Sequence, residues 1–438
     1  MILKNKNILR SIASSSIGNI LEWYEYALYA YFSKVISVLF FPADDPFVSN
    51  VLTFSTFAVG LAARPLGGIL FGYIGDRYSR KKMLAITIFL MSIPTLCIGC
   101  LPTYEQIGIF APVILVTLRI IQGIALGGEF GASCVYLYES VPQNKRGFLG
   151  SFALTGVGTG LVLSACTIFI VESWVTEETL YAYAWRIPFF ISVTGSILAF
   201  YMRKHLLETT DFLEIQKEQK THHAPILELF RHYKLSLLGL FAIFLTTQIA
   251  FFVIFIFGKT MMIDFLHYDS VTAGWFNLLT MISYTLATVV FGYLSDKINK
   301  RYIILFGTVG IFLCAIPFIN SLQAGLPSLI FVISLLLGAF MGMTESTLNP
   351  VVAETFPTNI RATSVAFCWN FTAVAFGGLA PLLSMTFIKY SGTVKSVAYY
   401  LMCVCAITIG SVVYTLLKSR HTLKDACESD IPLIEKVA

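Results

Sequence analysis

The stretch Gly72–Lys82 reads GYIGDRYSRKK, and Gly292–Arg301 reads GYLSDKINKR. Glycine, tyrosine, aspartate and the trailing basic residues recur at a constant offset of 220 residues, close to half of the 438-residue chain. Gly72 matches Gly292, Asp76 matches Asp296, Arg77 matches Lys297, Arg80 matches Lys300 and Lys81 matches Arg301. Each copy sits between two long apolar runs, and Gly75, Asp76 and Ser79 favour a tight turn in the first. A second echo joins ESVPQNKR at Glu139–Arg146 to ETFPTNIR at Glu354–Arg361, both of the form E-x-x-P-x-N-x-R. Two motifs repeated at matching places in each half point to a duplicated membrane chain with parallel halves.

Composition agrees. The chain is 56% hydrophobic and 13% charged, where a soluble chain carries about 25% charged residues. Its mean hydropathy is +0.76. Twelve runs are long and apolar enough to cross a bilayer: 13–40, 50–74, 83–102, 107–138, 148–172, 185–203, 236–263, 271–294, 302–320, 325–352, 362–388 and 395–417. In lipid every backbone polar group must be paired, which leaves helices or a closed barrel. The runs lack the alternation of a barrel. The expected fold is therefore an all-α membrane protein with twelve transmembrane helices in two pseudo-symmetric six-helix bundles. The expected divisions are 1–203 and 235–418 for the bundles, 204–234 for a central loop and 419–438 for a short tail. Glu22 and Glu25 lie inside the first run, so it reads as a retained span rather than a cleaved leader.

The distribution of Lys and Arg sets the orientation. Lys4, Lys6 and Arg10 precede span 1, and the even loops hold Arg77–Lys82, Lys145, Arg146, the segment 203–234, Lys297–Arg301 and Arg361. Lys418, Arg420 and Lys424 follow span 12. The odd loops carry Asp44, Asp45, Glu105, Glu177 and Glu178, and only the last, with Lys389 and Lys395, is basic. Both termini are expected in the cytoplasm, with the chain in a cell inner membrane. The pI of about 8.6 follows from these loops and gives no reason to expect nucleic acid. Residues 210–220 of the central loop read as an amphipathic surface helix resting on Phe212, Leu213 and Ile215. The adjacent His222 and His223 point to different sides and make a poor metal pair. Cys97 and Cys100 are spaced CxxC, but on an apolar helix with no second pair and no nearby His, so no metal site is expected.

GYIGDRYSRKK resembles the signature loop of the major facilitator superfamily, G-x-x-x-D-R-x-G-R-[RK]-[RK], with Ser79 in place of the second glycine. The second copy is weaker, with Lys297 and Asn299. Arg119-x-x-Gln122-Gly123 is similar to the family's span 4 motif. Gly18-Asn19-x-x-Glu22-Trp23, Arg64-Pro65-Leu66-Gly67-Gly68, Gly127-Gly128-Glu129 and Trp185-Arg186-Ile187-Pro188-Phe189 resemble the metabolite:proton symporters within it. Residues 82–112 and 139–147 look most similar to bacterial proline/glycine-betaine transporters. The resemblance implies the major facilitator fold, alternating access around a midplane site, a small-molecule substrate, protons as the coupling ion and no bound cofactor. A monomer is the expected state. Some osmosensing members end in a long coiled coil; this chain stops soon after span 12 without heptads, so gating of that kind is not expected.

Ionisable residues inside spans are costly and are functional candidates by default. They are Glu22, Glu25, Lys34, Arg64, Arg119, Glu129, Arg186, Lys259 and Glu345. Glu22 and Glu25 are three apart and share a helix face. Either suits proton coupling, or serves as a structural partner for an Arg. Glu129, after Gly127-Gly128, has the same two readings. Arg119 lies ten residues before Glu129, about 15 Å along a helix, too far to pair with it. Arg64 and Arg119 can grip a substrate carboxylate with a planar fork, or make structural ion pairs. Arg186, at a span end beside Trp185, reads as an interface anchor or an ion-pair member.

The substrate candidates are Trp23, Tyr26, Arg64, Arg119, Gln122, Trp369 and Asn370, with Gln248 as a further cavity-lining group. Trp23 and Tyr26 share a face, and aromatic rings attract a quaternary ammonium; the next position, Ala30, carries no ring. Asp76, Arg77, Arg80, Glu139, Arg146, Asp296, Glu354 and Arg361 are candidates for a conformational latch, from their charge and repeated placement. Gly156, Gly158 and Gly160 follow no strand, so they read as close packing at the interface of the halves rather than nucleotide binding. Three classes remain: a proton symporter of a zwitterion such as proline or glycine betaine; one of a carboxylate such as 2-oxoglutarate, citrate or shikimate; and a membrane enzyme or receptor. The duplication and the lack of catalytic spacing count against the third.

Overall fold

The computed structural model describes the backbone of residues 6–44, 46–218 and 225–429. Lys4, Asp45 and the pair His222–His223 lie outside the described residues, as do the side chains of Lys6, Lys418, Arg420 and Lys424.

Twelve long helical spans follow the apolar runs. They are α1 (Lys6–Tyr31), α2 (Pro46–Ala62, then Arg64–Arg77), α3 (Arg80–Cys100), α4 (Phe110–Ser140), α5 (Arg146–Trp174) and α6 (Ile187–Lys204). The second half repeats them as α7 (Lys234–Phe265), α8 (Ser270–Ser295), α9 (Lys300–Gln323), α10 (Pro327–Ser346, then Leu348–Thr355), α11 (Arg361–Ser391) and α12 (Lys395–Ser429). Among the described residues, eleven are long and apolar enough to cross a membrane. The remaining one, α1, has 26 residues, and Arg10, Glu22 and Glu25 dilute its apolar character. There is no strand among the described residues.

Local chemistry explains the breaks. Ser79 caps α3 by accepting from the Lys82 backbone N–H at 3.0 Å, and Asp269 caps α8 by accepting from the Val271 and Thr272 N–H groups at 3.1 and 2.9 Å. Asn299 caps α9 through the Arg301 N–H at 3.0 Å. Pro65 opens the second segment of α2, where its missing N–H costs least, and so fixes the break at Ala63. The α7 span runs through π-helical turns at Phe252–Phe257 and Met261–Phe265, and α11 through one at Ala373–Gly377. Such turns widen a helix locally and re-aim its side chains.

The two halves meet along α2 against α11 and α5 against α8. Both crossings need glycine. A Cβ on Gly72 would lie 2.5 Å from the Thr363 Cα, and one on Gly292 would lie 2.5 Å from the Ser151 Cβ. The duplicated glycines thus let backbones approach at equivalent places in the two crossings. We call the end of the bundle that holds these crossings and the Lys/Arg-rich loops the basic face.

In the central loop, a helix over Thr210–Lys217 buries Phe212. Leu213 is exposed and Ile215 only half-buried, so one apolar side chain is buried where three were expected. A second short helix spans Pro225–His232.

Gly72→Val is expected to insert and to unfold more easily than the native chain, by about 1–3 kcal/mol for an overpacked contact. Thermal unfolding in detergent, with membrane abundance as control, checks this. Gly150→Val, where a Cβ would meet nothing within 4 Å, is the matched substitution expected to leave stability unchanged within about 0.5 kcal/mol.

Candidate functional site

Asp76 ends its segment of α2 facing the first turn of α11. Its carboxylate accepts from the backbone N–H groups of Ala362 (2.9 Å) and Thr363 (2.8 Å). Asp296 does the same at α5, accepting from Gly147 (2.7 Å) and Phe148 (2.9 Å). Each duplicated aspartate therefore caps a helix of the opposite half. The first N–H groups of a helix have no internal partner and carry partial positive charge, so a carboxylate is favoured there.

A buried ion cluster surrounds Asp76. Arg80 Nη1 donates to Asp76 at 2.5 Å, and its Nε and Nη2 donate to Glu139 at 3.3 Å each. Arg80 Nη2 also donates to the Thr358 carbonyl of the other half at 2.7 Å. Arg361 completes the crossing, donating to Glu139 at 2.9 Å. Removing one member of such a cluster strands a buried charge, at about 3–5 kcal/mol. The second-half counterpart is open to solvent: Lys300 pairs with Glu354 at 2.7 Å with both side chains accessible.

Two latch candidates take other places. Among the described residues Arg77 contacts its own helix region, over the Tyr73 and Tyr78 rings at 5.5 Å each, and donates to the Tyr73 hydroxyl. One position after Asp76, it points about 100° around the helix, away from the crossing. Arg146 lies over Tyr138 at 4.1 Å and pairs with Asp211 at 3.5 Å, not with Asp76. Asp211 also receives Arg361 at 3.4 Å. The central loop thus joins the cluster, which the sequence reading missed. Thr209 donates to Glu139 at 2.7 Å, Ser79 donates to Glu208, and the Arg80 guanidinium lies 5.3 Å from the Phe212 ring centre. The signal was Thr209 as the cap of an amphipathic run.

A cavity of about 30 Å³ lies between the halves, lined by Trp23, Arg64, Phe130, Leu154, Val157, Gln248, Phe251, Phe252, Glu345, Trp369 and Ala373. It has room for one or two waters. Arg64 is held by Glu22 (Nη2 to Oε1, 3.4 Å) and by Asn370 of the other half (Nε to Oδ1, 3.1 Å). Asn370 in turn donates to the Gly127 and Ala366 carbonyls at 2.5 and 2.7 Å, so it positions Arg64. Trp23 meets Phe251 at 5.3 Å, and Trp369 meets Phe130 and Phe244 at 4.7 and 4.8 Å. The rings absent from the face of α1 come from α4, α7 and α11.

The remaining candidates separate into two groups inside the first half. Glu25 accepts from Thr95 and Ser192, both at 2.5 Å. Gln122 donates to the same Thr95 oxygen at 2.8 Å and accepts from Arg119 at 2.8 Å. Arg119 lies 4.1 Å from the Tyr29 ring centre, away from the cavity. Tyr26 packs against Phe57 at 4.7 Å and is likewise not a cavity wall. Arg119, Gln122 and Tyr26 thus do not line the cavity in this structure. Glu22 and Glu25 do not share one site, because three residues along a helix leave about 60° between them: one faces α2, the other α3 and α6.

Glu129 is an ion-pair partner. Its carboxylate is gripped by both terminal nitrogens of Arg203 and accepts from Thr87 at 2.6 Å. That removes it from the free carboxylates. Arg203 was read as the start of the central loop; the signal is Gly18, where a Cβ would lie 1.8 Å from its guanidinium. Arg186 donates to the Gly99 and Leu101 carbonyls at 2.7 and 2.8 Å, closing the end of α3, and makes no ion pair among the described residues. Among the three span 5 glycines, only Gly158 faces the other half, at Thr285; Gly156 and Gly160 pack on α1.

Twelve spans in two repeated sets, joined at one face around a buried polar cavity, are the architecture of a membrane transporter. The profile of the Major Facilitator Superfamily matches residues 26–381. The chain belongs to that superfamily and is a multi-pass membrane transporter rather than an enzyme. It is 33% identical to the proline/betaine transporter of Escherichia coli K12 over 438 residues, 97% of this chain and 87% of the relative. It is 30% identical to the glycine betaine/proline/ectoine/pipecolic acid transporter OusA of Dickeya dadantii, over 99% of this chain and 88% of that one. The proton:xylose symporter XylE bound to 6-bromo-6-deoxy-D-glucose shares its fold, with a TM-score of 0.79 at 16% identity over 94% of this chain and 95% of that one.

The two neighbours Asp76 and Arg77 should separate in a transport assay. Asp76→Asn is expected to lower uptake at least tenfold with normal membrane abundance. Arg77→Ala should stay within about twofold of the native rate, since an exposed contact of this kind contributes about 1 kcal/mol or less.

Proposed function

We propose that the chain is a proton-coupled symporter of a small zwitterionic solute such as proline or glycine betaine, working by alternating access. The observation that carries this reading is the central cavity, where one guanidinium, Arg64, stands among the rings of Trp23, Phe130, Phe251, Phe252 and Trp369. A guanidinium takes a carboxylate, and aromatic faces take a quaternary or secondary ammonium. The names of relatives at 30–33% identity support the same substrate class. Because the cavity holds only about 30 Å³, the solute enters when the halves part at the end opposite the basic face.

Glu25 is the residue we assign to the coupling proton. It is buried, and its partners are hydroxyls. A hydroxyl donates to a carboxylate and accepts from a carboxylic acid, so both protonation states keep their hydrogen bonds. Gln122 and Thr95 link it to Arg119. Asp76, Asp296, Arg80, Glu139 and Arg361 form the latch that closes the basic face. The Lys/Arg-rich loops support a reading in which that face and both termini lie on the cytoplasmic side of an inner membrane. One chain carries the whole pathway, driven by the proton gradient without a bound cofactor.

In proteoliposomes, radiolabelled glycine betaine or proline should accumulate when the outside is acidic and not when the gradient is collapsed. Uptake indifferent to the gradient would remove proton coupling, and uptake of neither solute would remove the substrate class. Glu25→Gln is expected to abolish gradient-driven accumulation while retaining exchange of labelled for unlabelled solute. Loss of both would place Glu25 outside the coupling role.

A further inference from the structure

Glu345 is a buried carboxylate that the proposed mechanism leaves unused. It lines the central cavity, is 4% exposed, and accepts from the Tyr284 hydroxyl at 2.5 Å. No Lys, Arg or His lies within ion-pair distance of it among the described residues. The Tyr284 ring is fixed by Phe255 at 5.3 Å and Phe251 at 6.4 Å. Glu345 also sits in the last turn of the Pro327–Ser346 segment, before the break at Thr347. Unpaired carbonyls at a helix C-terminus favour a cation nearby. An ionised carboxylate buried without a cation is costly, and a cationic ligand supplies the missing partner.

Arg64 and Glu345 are the charged residues lining this cavity among the described residues, one from each half of the chain. We infer that Glu345, positioned by Tyr284, holds the cationic end of the transported solute while Arg64 holds its carboxylate, so that this opposed pair selects zwitterions. The inference rests on the reading of the cavity as the substrate site and deepens it. The rings of Phe251, Phe252 and Trp23 flank the same space and complete the ammonium's surroundings. A dicarboxylate would set its second carboxylate against Glu345, a like-charge contact that rejects it. Because each half supplies one charge, a zwitterion also bridges the halves, and a solute with one charged end leaves the other half unengaged.

The test uses the full chain in proteoliposomes preloaded with unlabelled glycine betaine, without a pH gradient, so that exchange reports binding and not proton coupling. Glu345→Gln is expected to raise the exchange KM for glycine betaine at least tenfold. Tyr284→Phe should raise it severalfold with the maximal rate retained, and Glu345→Asp should recover part of the loss. The competitor 3,3-dimethylbutanoate has the shape and carboxylate of glycine betaine with carbon in place of nitrogen. It should inhibit native exchange weakly, and the residual exchange of Glu345→Gln at least as well. An unchanged KM in Glu345→Gln would overturn the assignment while leaving the substrate class intact. Normal exchange with lost gradient-driven accumulation would make Glu345 a proton site instead. Equal loss of response to glycine betaine and 3,3-dimethylbutanoate would overturn it in favour of a structural role. Native protein that exchanges neither glycine betaine nor proline removes the parent reading itself.

Discussion

The contact between a duplicated aspartate and the free N–H groups of a helix in the opposite half organises this molecule. Asp76 on α11 and Asp296 on α5 satisfy donors that no residue within those helices can satisfy. The acceptor is a charge and the donors are backbone, so the bond depends on where the helix begins and little on its side chains. Everything around it serves placement. Gly72 and Gly292 let the backbones approach, and Arg80 neutralises Asp76 within the same cluster. If the halves part, both helix ends and both carboxylates lose their partners together and must find water.

The duplication was legible because its signals are local. A turn, an aspartate, basic residues and an E-x-x-P-x-N-x-R string can be read along one strand of text, and span lengths follow from composition alone. The sequence also marked which residues would be unusual, since Glu22, Glu25, Arg64, Arg119 and Glu129 are charges in apolar runs. It could not say who meets whom. Arg203 looked like the first residue of a loop, yet it reaches back to Glu129 through the space left by Gly18. The aromatic lining was hidden for the same reason. Ala30 made the face of α1 look incomplete, and Phe130, Phe251, Phe252 and Trp369 converge on it from three other helices. Adjacent residues also misled: Asp76 and Arg77 look like one motif, but a helix turns them to different surroundings.

The two copies of the motif have diverged in burial. The first-half cluster of Asp76, Arg80, Glu139 and Arg361 is closed from solvent, while Lys300 and Glu354 remain accessible. Exposed pairs contribute about 0–1 kcal/mol, whereas a buried charge stripped of its partner costs several. The α2–α11 side therefore carries most of the electrostatic cost of separation, and the α5–α8 side carries chiefly the Asp296 cap. Helix Thr210–Lys217 adds to that imbalance, since Thr209 and Asp211 bond to Glu139 and Arg361 on the first side.

That imbalance bears on how the cavity and the basic face communicate. Arg64 opens the same α2 segment that Asp76 ends, and Asn370, which holds Arg64, lies on the α11 whose first turn Asp76 caps. One helix pair thus carries a cavity contact and the buried cluster as two rungs of a single crossing, about three turns apart along the α2 segment at 3.6 residues per turn. A ligand group that takes Arg64 away from Asn370 changes the same interface that the cluster closes. Coupling between these two places needs no chain of intermediate side chains, because the rigid body that joins them is the segment Arg64–Arg77 itself.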